Sequence, residues 1–491
     1  MWNKLNKSMM FCQAMFGLSF YGVMVILTRF FLEKLHYSEA ETMMIVGAFS
    51  SIGPLFAIAG GFIADKLLGS YRSLTISYGA FSIGYVLLVL GASSTNVPMS
   101  LVGIALASYG RGMMAPSYPS LYKRTFKTDT DFENCYPLNY SVNNIGAFLG
   151  QYLFPLFVLS IGFNGSFGLS AALASIAFIT LLVLNKPLSN VSSEIDKNKV
   201  SPKNLVLFLV ISAAMIGLVF FMFSNMDIGQ NIVYVIGISA LSYLVFLIFR
   251  SNKSEGLRIG TMLIMTMLTT FFFVYYGQMM TSMTMVSLNT MRGDLFGFIP
   301  IAPEAAMAMN PLWCIVGGPI ITWIFSTLEK RGVTISTATK VAISFVLVAI
   351  SFGILTVAVT GVGQDAIIRP EVFLAVYGFM SIGEVIVGSF VVAFVLSVTP
   401  KYIENFSVSL FYIAQALSGI VGAVFSTSIA MEKGQVITQA IVQTVYGDYF
   451  KLLTILALVM AVIALIGSYV IRKMLNKADA CAEKLEAKPA V

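Results

Sequence analysis

Fourteen apolar stretches, each near the length of a membrane-crossing helix, follow one another along this chain of 491 residues. A helix needs roughly 20 predominantly apolar residues to cross the hydrocarbon of a bilayer. An unsatisfied peptide group costs several kcal/mol in that medium, so such stretches must close their hydrogen bonds internally, as helices. The spans are read at 8–32, 42–64, 73–93, 97–121, 138–161, 166–185, 204–223, 231–249, 258–286, 304–327, 336–360, 370–398, 404–429 and 450–473. Charged residues make up 11% of the chain, against about a quarter in soluble domains, and the mean hydropathy is +0.86. The fold class is therefore an all-α polytopic membrane protein, and a soluble globular enzyme is excluded.

An even number of spans places both termini on one side. The N-terminus, beginning with Lys4 and Lys7, and the alternate loops carry 23 of the 30 Lys and Arg residues. That bias predicts cytoplasmic termini and a multi-pass protein of the plasma membrane, or of the inner membrane if the source is bacterial. The net charge of +7 then reflects topology and anionic lipid, with no nucleic acid implied. The first apolar run is too long for a signal-peptide core and lacks a clear small-residue cleavage site, so it is read as a retained helix. Cys12, Cys135, Cys314 and Cys481 are scattered and His36 is the only histidine. No metal site, cofactor or disulfide framework is expected from that pattern.

The polar stretch from Lys186 to Pro202 separates six spans from eight. The expected organisation is a six-helix bundle over 1–185, a cytoplasmic linker over 186–203, two inserted helices over 204–250, a second six-helix bundle over 251–475 and a cytoplasmic tail over 476–491. The tail is read as a short solvated helix or a disordered segment. The inserted pair carries few polar side chains at mid-depth, which gives it a packing or peripheral role.

Two charges stand out inside the spans. Glu384, in V-Y-G-F-M-S-I-G-E-V-I-V-G, is the one carboxylate placed near the middle of a span, and Arg111 lies within another. Charges at that depth cost several kcal/mol and mark binding, ion coupling or a specific pair.

Four blocks then carry a resemblance. G-G-F-I-A-D-K-L-L-G-S-Y-R, from Gly60, has the small-x-x-x-Asp-basic spacing of the loop between the second and third spans of major facilitator transporters. In it Asp65 would cap or pair at a helix end, while Gly61 and Gly69 would permit close helix approach. N-Y-S-V-N-N-I-G-A-F-L-G, Asn139 to Gly150, retains Tyr140, Asn144 and Gly146 of an F-Y-x-x-I-N-x-G block. M-N-P-L-W-C holds Asn310 and Pro311, and Y-G-F-M-S-I-G-E ends on Glu384. Together these blocks resemble the proton-dependent oligopeptide transporter (POT, or PTR) family of the major facilitator superfamily, over nearly the whole chain. The resemblance implies a major facilitator fold of two six-helix bundles plus two inserted helices. It also implies uptake of di- and tripeptides by proton symport around a site between the halves. Glu384 would take the peptide amine, with Tyr21, Tyr140, Asn144, Gln278, Ser282 and Asn310 supplying uncharged hydrogen bonds; the alternative for each of these six is a helix–helix contact.

The chain departs from the family where charge matters most. The first-span signature E-x-x-E-R-F-x-Y-Y aligns with Gln13 to Tyr21, leaving Gln13, Phe16 and Gly17 in place of two carboxylates and an arginine. The span-four lysine is replaced by Ala115, and acidic residues before Gln278 by Tyr276 and Gly277. Arg111 lies one turn from Ala115 on the same helix face, so it is read either as the anion ligand that takes over from the lysine or as a structural arginine bonded to backbone carbonyls. Glu384 is read as substrate ligand and sole midplane proton acceptor, against a permanently protonated or internally bonded group. The expected function is a secondary transporter of short peptides or a similar small zwitterion, working as a monomer in the lipid bilayer, with protons as a second partner only if Glu384 titrates. A non-transporting ligand sensor or scaffold, and a facilitated exchanger of another solute, are the competing readings.

Overall fold

The computed structural model describes residues 3–400 and 404–486. The long helices are α1 (Lys4–Arg29), α2 (Glu39–Phe62), α3 (Ser70–Ser94), α4 (Val97–Arg124) and α5 (Asp129–Val183), followed by the short α6 (Asn185–Val191) and α7 (Glu194–Lys197). Then come α8 (Pro202–Ser224), α9 (Met226–Arg250), α10 (Lys253–Gly277), α11 (Ser282–Thr290), α12 (Met309–Lys330), α13 (Thr337–Thr360), α14 (Pro370–Val398), α15 (Glu404–Ser426), α16 (Gln439–Ile441) and α17 (Gly447–Glu486). Ser38 and Glu41 form a reciprocal capping box at the start of α2, and Asn96 followed by a first-turn proline starts α4, both signals that end a loop by satisfying or removing orphan N–H groups.

Twelve helical segments are long and apolar enough to cross a membrane. One of these, 46 residues long, belongs to α5, which Gly162 (φ +69) breaks into two crossing helices, and α4 runs alongside α2 and α3; the crossings then number fourteen. Within the first half α1 packs on α5, α3 on α4 and α5, and α2 on α4; in the second, α10, α12, α13, α14, α15 and α17 pack on one another. The inserted pair straddles both halves. Helix α8 docks on α4, where Tyr109 and Ser212 hydroxyls bond at 2.8 Å, and α9 lies against α10 and α15.

The halves meet through α2 against α15 and through α5 against α12. The hydrogen bonds between them cluster at the end opposite the termini. Arg29 Nη1 donates to Glu304 at 2.8 Å, Asn289 Nδ2 and the Met431 N–H donate to Glu39 at 3.1 and 2.9 Å, Lys433 donates to the His36 carbonyl, and Tyr152 donates to the Pro300 carbonyl at 2.9 Å. The molecule is thus sealed at that end.

Two sequence expectations are corrected. Asp65 is exposed and makes no hydrogen bond or ion pair among the described residues; the cap at the start of α3 comes instead from Asp196 of the linker, which accepts from the Tyr71 and Arg72 N–H groups at 3.1 Å each. Gly69 (φ +93) leaves room for that carboxylate, which a Cβ would strike. The close helix approach falls on Gly60, whose Cβ position is filled by the Gly112 carbonyl, while at Gly61 the nearest neighbour would be 3.8 Å away. The linker is therefore a pair of docked short helices. At the other terminus the last helix runs unbroken to Glu486, held by Ser254 donating to the Ala478 carbonyl at 2.8 Å and by Arg258 against Asp479 at 2.6 Å.

Candidate functional site

A cavity of about 210 Å³ lies between the halves at mid-depth, with Tyr21, Arg111, Tyr276, Glu384 and Gln415 on its walls. A second space of about 220 Å³ shares Arg111 and continues past Gln13, Tyr118, Tyr140 and Asn143 toward the end carrying the termini. The two expected charges therefore reach one cavity from opposite halves, Arg111 on α4 and Glu384 on α14. They do not form an ion pair within 4.0 Å.

Arg111 owes its position to α2. Pro54 sits inside that helix and has no N–H to close the bond that residue 54 would otherwise make to the carbonyl of residue 50. Arg111 Nη1 supplies the missing donor, at 2.9 Å from the Ser50 carbonyl oxygen. Its guanidinium carbon lies 5.1 Å from the Phe20 ring centroid, an attraction of about 0.5–2 kcal/mol. Gly53 makes room for the stem, since a Cβ there would stand 2.7 Å from Arg111 Cδ. One of five guanidinium N–H groups is used in the Ser50 bond, so the side chain is bonded to a backbone carbonyl and still presents donors to the cavity.

Glu384 is held by neutral donors from α12. Its Oε2 accepts from Asn310 Nδ2 at 2.7 Å and from Cys314 Sγ at 3.5 Å, and the same amide bonds Ser381 Oγ at 2.8 Å. These bonds orient the carboxylate without neutralising it, and the Tyr276 hydroxyl of α10 is a further hydrogen-bonding neighbour of Glu384. Among the described residues no group of three or more His, Cys, Asp and Glu could hold a metal ion.

The other candidates divide. Tyr21 lines the central cavity and Tyr140 the adjoining one. Asn144 is buried and donates to the Tyr140 carbonyl one turn back, at 3.0 Å. Gln278 is fully buried, with Nε2 on the Val274 and Gly422 carbonyls and Oε1 accepting from Ser282, Ser426 and Tyr449 at 2.6, 2.8 and 2.6 Å. Gln278 and Ser282 stand outside both cavities, tying α10, α15 and α17 at the break between α10 and α11. That break is what turns Tyr276, Gly277 and Met280 to the cavity.

The altered first span is now explicable. Phe16 packs at 5.1 Å from the Phe20 ring and 5.4 Å from Phe81, and a Cβ on Gly17 would lie 2.7 Å from the Asn143 carbonyl oxygen. Helix α5 thus occupies the space in which an arginine at position 17 would stand. Gln13 donates to Asn143 Oδ1 at 3.0 Å, and its own buried carbonyl oxygen has no partner among the described residues. Sequence reasoning missed Cys314, Ser381, Asn143, Gln415 and Pro54. Of these Pro54 alone left a readable signal, a proline in the interior of an apolar span.

Residues 73–442 match the model of the POT family. The chain is 25% identical over 460 residues to dipeptide and tripeptide permease B of Salmonella typhimurium, covering 93% of each chain. It is also 25% identical over 467 residues to dipeptide and tripeptide permease A of the same species, with 95% of this chain and 91% of the relative covered. Among solved structures it superposes with a TM-score of 0.83 and 22% identity on a bacterial homologue of the human drug peptide transporters PepT1 and PepT2, over 96% of this chain and 98% of the other. Against tetrameric PepTSo2 the TM-score is 0.85 at 22% identity, over 96% and 99%. These likenesses show the major facilitator fold, two six-helix bundles with an inserted pair. Since the family match runs from α3 through the second half and takes in both Arg111 and Glu384, the chain belongs to the POT family.

Proposed function

We propose that the protein carries short peptides across the membrane by alternating access, without proton coupling through its first span. The observation that carries this reading is the pairing of one cation and one anion, Arg111 and Glu384, on opposite halves of a single cavity. A zwitterionic peptide has the complementary pair, a carboxylate for Arg111 and an ammonium for Glu384, and each contact is a charge-assisted hydrogen bond. A ligand that grips both halves biases their relative position, which alternating access requires. The relatives are named as dipeptide and tripeptide permeases, which supports the same substrate class. The basic loops predict cytoplasmic termini, and the sealed end would then face the outside.

Gln13, Phe16 and Gly17 offer no titratable group, so Glu384, the one carboxylate lining the cavity, is the group through which a gradient would act there. The test is uptake of a labelled dipeptide into liposomes holding the purified protein, with and without an imposed proton gradient. Equal initial rates are expected. A strict gradient requirement that Glu384→Gln abolishes would overturn the uncoupled reading and place the proton on Glu384, and no uptake of any peptide would overturn the substrate class.

A further inference from the structure

Arg111 borders two spaces, and only one of them holds Glu384. The other, of about 220 Å³, is walled by α1 from Gln13 to Phe16, by α4 from Arg111 to Pro119 and by α5 from Tyr136 to Asn143. All three helices belong to the first half. This space is therefore a recess in one half, whereas the cavity holding Glu384 takes its walls from both. The Tyr118 hydroxyl lies 2.6 Å from Asn139 Oδ1 and 3.1 Å from the Met9 carbonyl oxygen, which ties α1, α4 and α5 together and fixes the walls. Ala115 adds a single methyl group to the lining, so the recess stays open one turn beyond Arg111.

The lining combines apolar surface with neutral amides. Phe16, Met114 and Tyr118 are buried, and beside them stand the side chains of Gln13, Asn139 and Asn143, with Gln13 Nε2 donating to Asn143 Oδ1 at 3.0 Å. Neither Asp nor Glu is in the lining, and its one cation is Arg111, at the boundary with the central cavity. A peptide whose carboxylate sits on Arg111 carries its last side chain on the carbon next to that carboxylate. With the ammonium toward Glu384 the backbone fills the central cavity, and the recess beyond Arg111 is the space left for that side chain.

We propose that this recess is a specificity subsite for the C-terminal side chain of the peptide, accepting a large uncharged one and rejecting lysine or arginine. The subsite rests on the reading of a peptide substrate held between Arg111 and Glu384. An uncharged side chain lays its stem against Phe16 and Met114 and exchanges hydrogen bonds with the amides. A cationic one gives up its hydration with no carboxylate to meet it and with Arg111 at the mouth, a cost that its stem contacts do not offset. Because the recess lies wholly within one half, it keeps its shape as the halves rock, and the same selection applies whichever side the site faces.

The test is displacement of labelled Ala-Ala from the purified full-length protein in detergent by unlabelled Ala-Gln and Ala-Lys, which differ in charge more than in length. The wild type is expected to bind Ala-Gln at least about tenfold tighter than Ala-Lys. Gln13→Glu puts a carboxylate in the recess and should bring that ratio to one or below, while Gln13→Met, uncharged and of similar size, should keep Ala-Lys rejected. Ala115→Leu narrows the recess and should weaken Ala-Gln relative to Ala-Ala by about fivefold or more. A wild-type ratio near one, a ratio unmoved by Gln13→Glu, the same shift in Gln13→Met, or an Ala-Gln to Ala-Ala ratio unmoved by Ala115→Leu would each overturn the subsite while leaving peptide binding in place. Failure of the wild type to bind labelled Ala-Ala would instead overturn the substrate class and the subsite with it. Should Ala115→Leu fail to fold, the two Gln13 variants decide alone.

Discussion

Replacing Arg111 by glutamine removes two things at once, the donor to the Ser50 carbonyl and the positive charge on the cavity wall. Leaving a buried acceptor unsatisfied costs about 1–3 kcal/mol, and loss of the contact with Phe20 adds about 0.5–2 kcal/mol. Arg111→Gln should therefore destabilise the protein by about 1.5–5 kcal/mol. The binding effect is separate: losing a charge-assisted bond to a substrate carboxylate costs about 1.5–3 kcal/mol, or about 10- to 150-fold in Kd. Pro54 allows the two to be told apart. With Pro54→Ala, residue 54 regains an N–H that can close the helix bond to Ser50, so Arg111→Gln in that background should lose most of its stability cost while keeping its full binding defect. The measurements are the thermal unfolding midpoint in detergent and the affinity for a labelled dipeptide and for its C-terminally amidated analogue. The amidated peptide, which lacks the carboxylate, should be indifferent to Arg111→Gln. If the dipeptide defect disappeared in the Pro54→Ala background, or if Arg111→Gln and Arg111→Lys both bound as the wild type does, Arg111 would be a helix-satisfying residue and no anion ligand.

Two further outcomes are expected. Gly17→Ala places a Cβ 2.7 Å from the Asn143 carbonyl oxygen and should cost about 1–3 kcal/mol as overpacking; unfolding unchanged by this variant would show that α1 and α5 are not in close contact, and Gly17→Arg, which reinstates the family's arginine, should be worse and give no gradient dependence. Glu304→Gln leaves Arg29 with Glu33 alone, at 2.7 Å, and weakens a pair whose carboxylate is fully buried. The sealed end should then open more often, read as faster labelling of a cysteine introduced at Ser51 by an impermeant thiol reagent added from that side; unchanged labelling would remove Glu304 from the closure.

The number and order of the crossings were legible because hydropathy over about 20 residues is a property of composition. Glu384 and Arg111 were legible for the same reason, since a charge in an apolar run stands out wherever it faces. Facing was not legible. A helix that is apolar all round gives no polar stripe to orient it, so the sequence left Gln278 and Ser282 between cavity ligand and helix–helix contact, and only the structure shows them closing a hub between three helices. The reverse error befell Cys314 and Gln415, whose residue types carry no signal though their positions do. Asp65 shows a third limit: its spacing in the loop suggested a cap, but the N–H groups at the start of α3 are met by Asp196, 131 positions further along, and no local pattern reports a partner that distant.

The lost charges of the first span and the retained charges of the cavity belong to one rearrangement. Once Gly17 admits the α5 backbone and Phe16 joins Phe20 and Phe81, no charged group remains on that face of α1 to trade a proton or pair with a substrate carboxylate. The nearest cation is then Arg111, which the orphaned Ser50 carbonyl already fixes in place beside Phe20. Glu384 is fixed in the same manner, by Asn310 rather than by a countercharge. Each charge is therefore oriented by neutral or backbone partners and unpaired by the other, so an empty cavity carries two separated charges in a poorly polarisable setting. A zwitterion that spans them supplies the missing countercharge to both halves in one event. Because the gain depends on Arg111 and Glu384 being within one ligand's reach, it is larger when the halves are close, and this differential is the free energy available to drive the change of access.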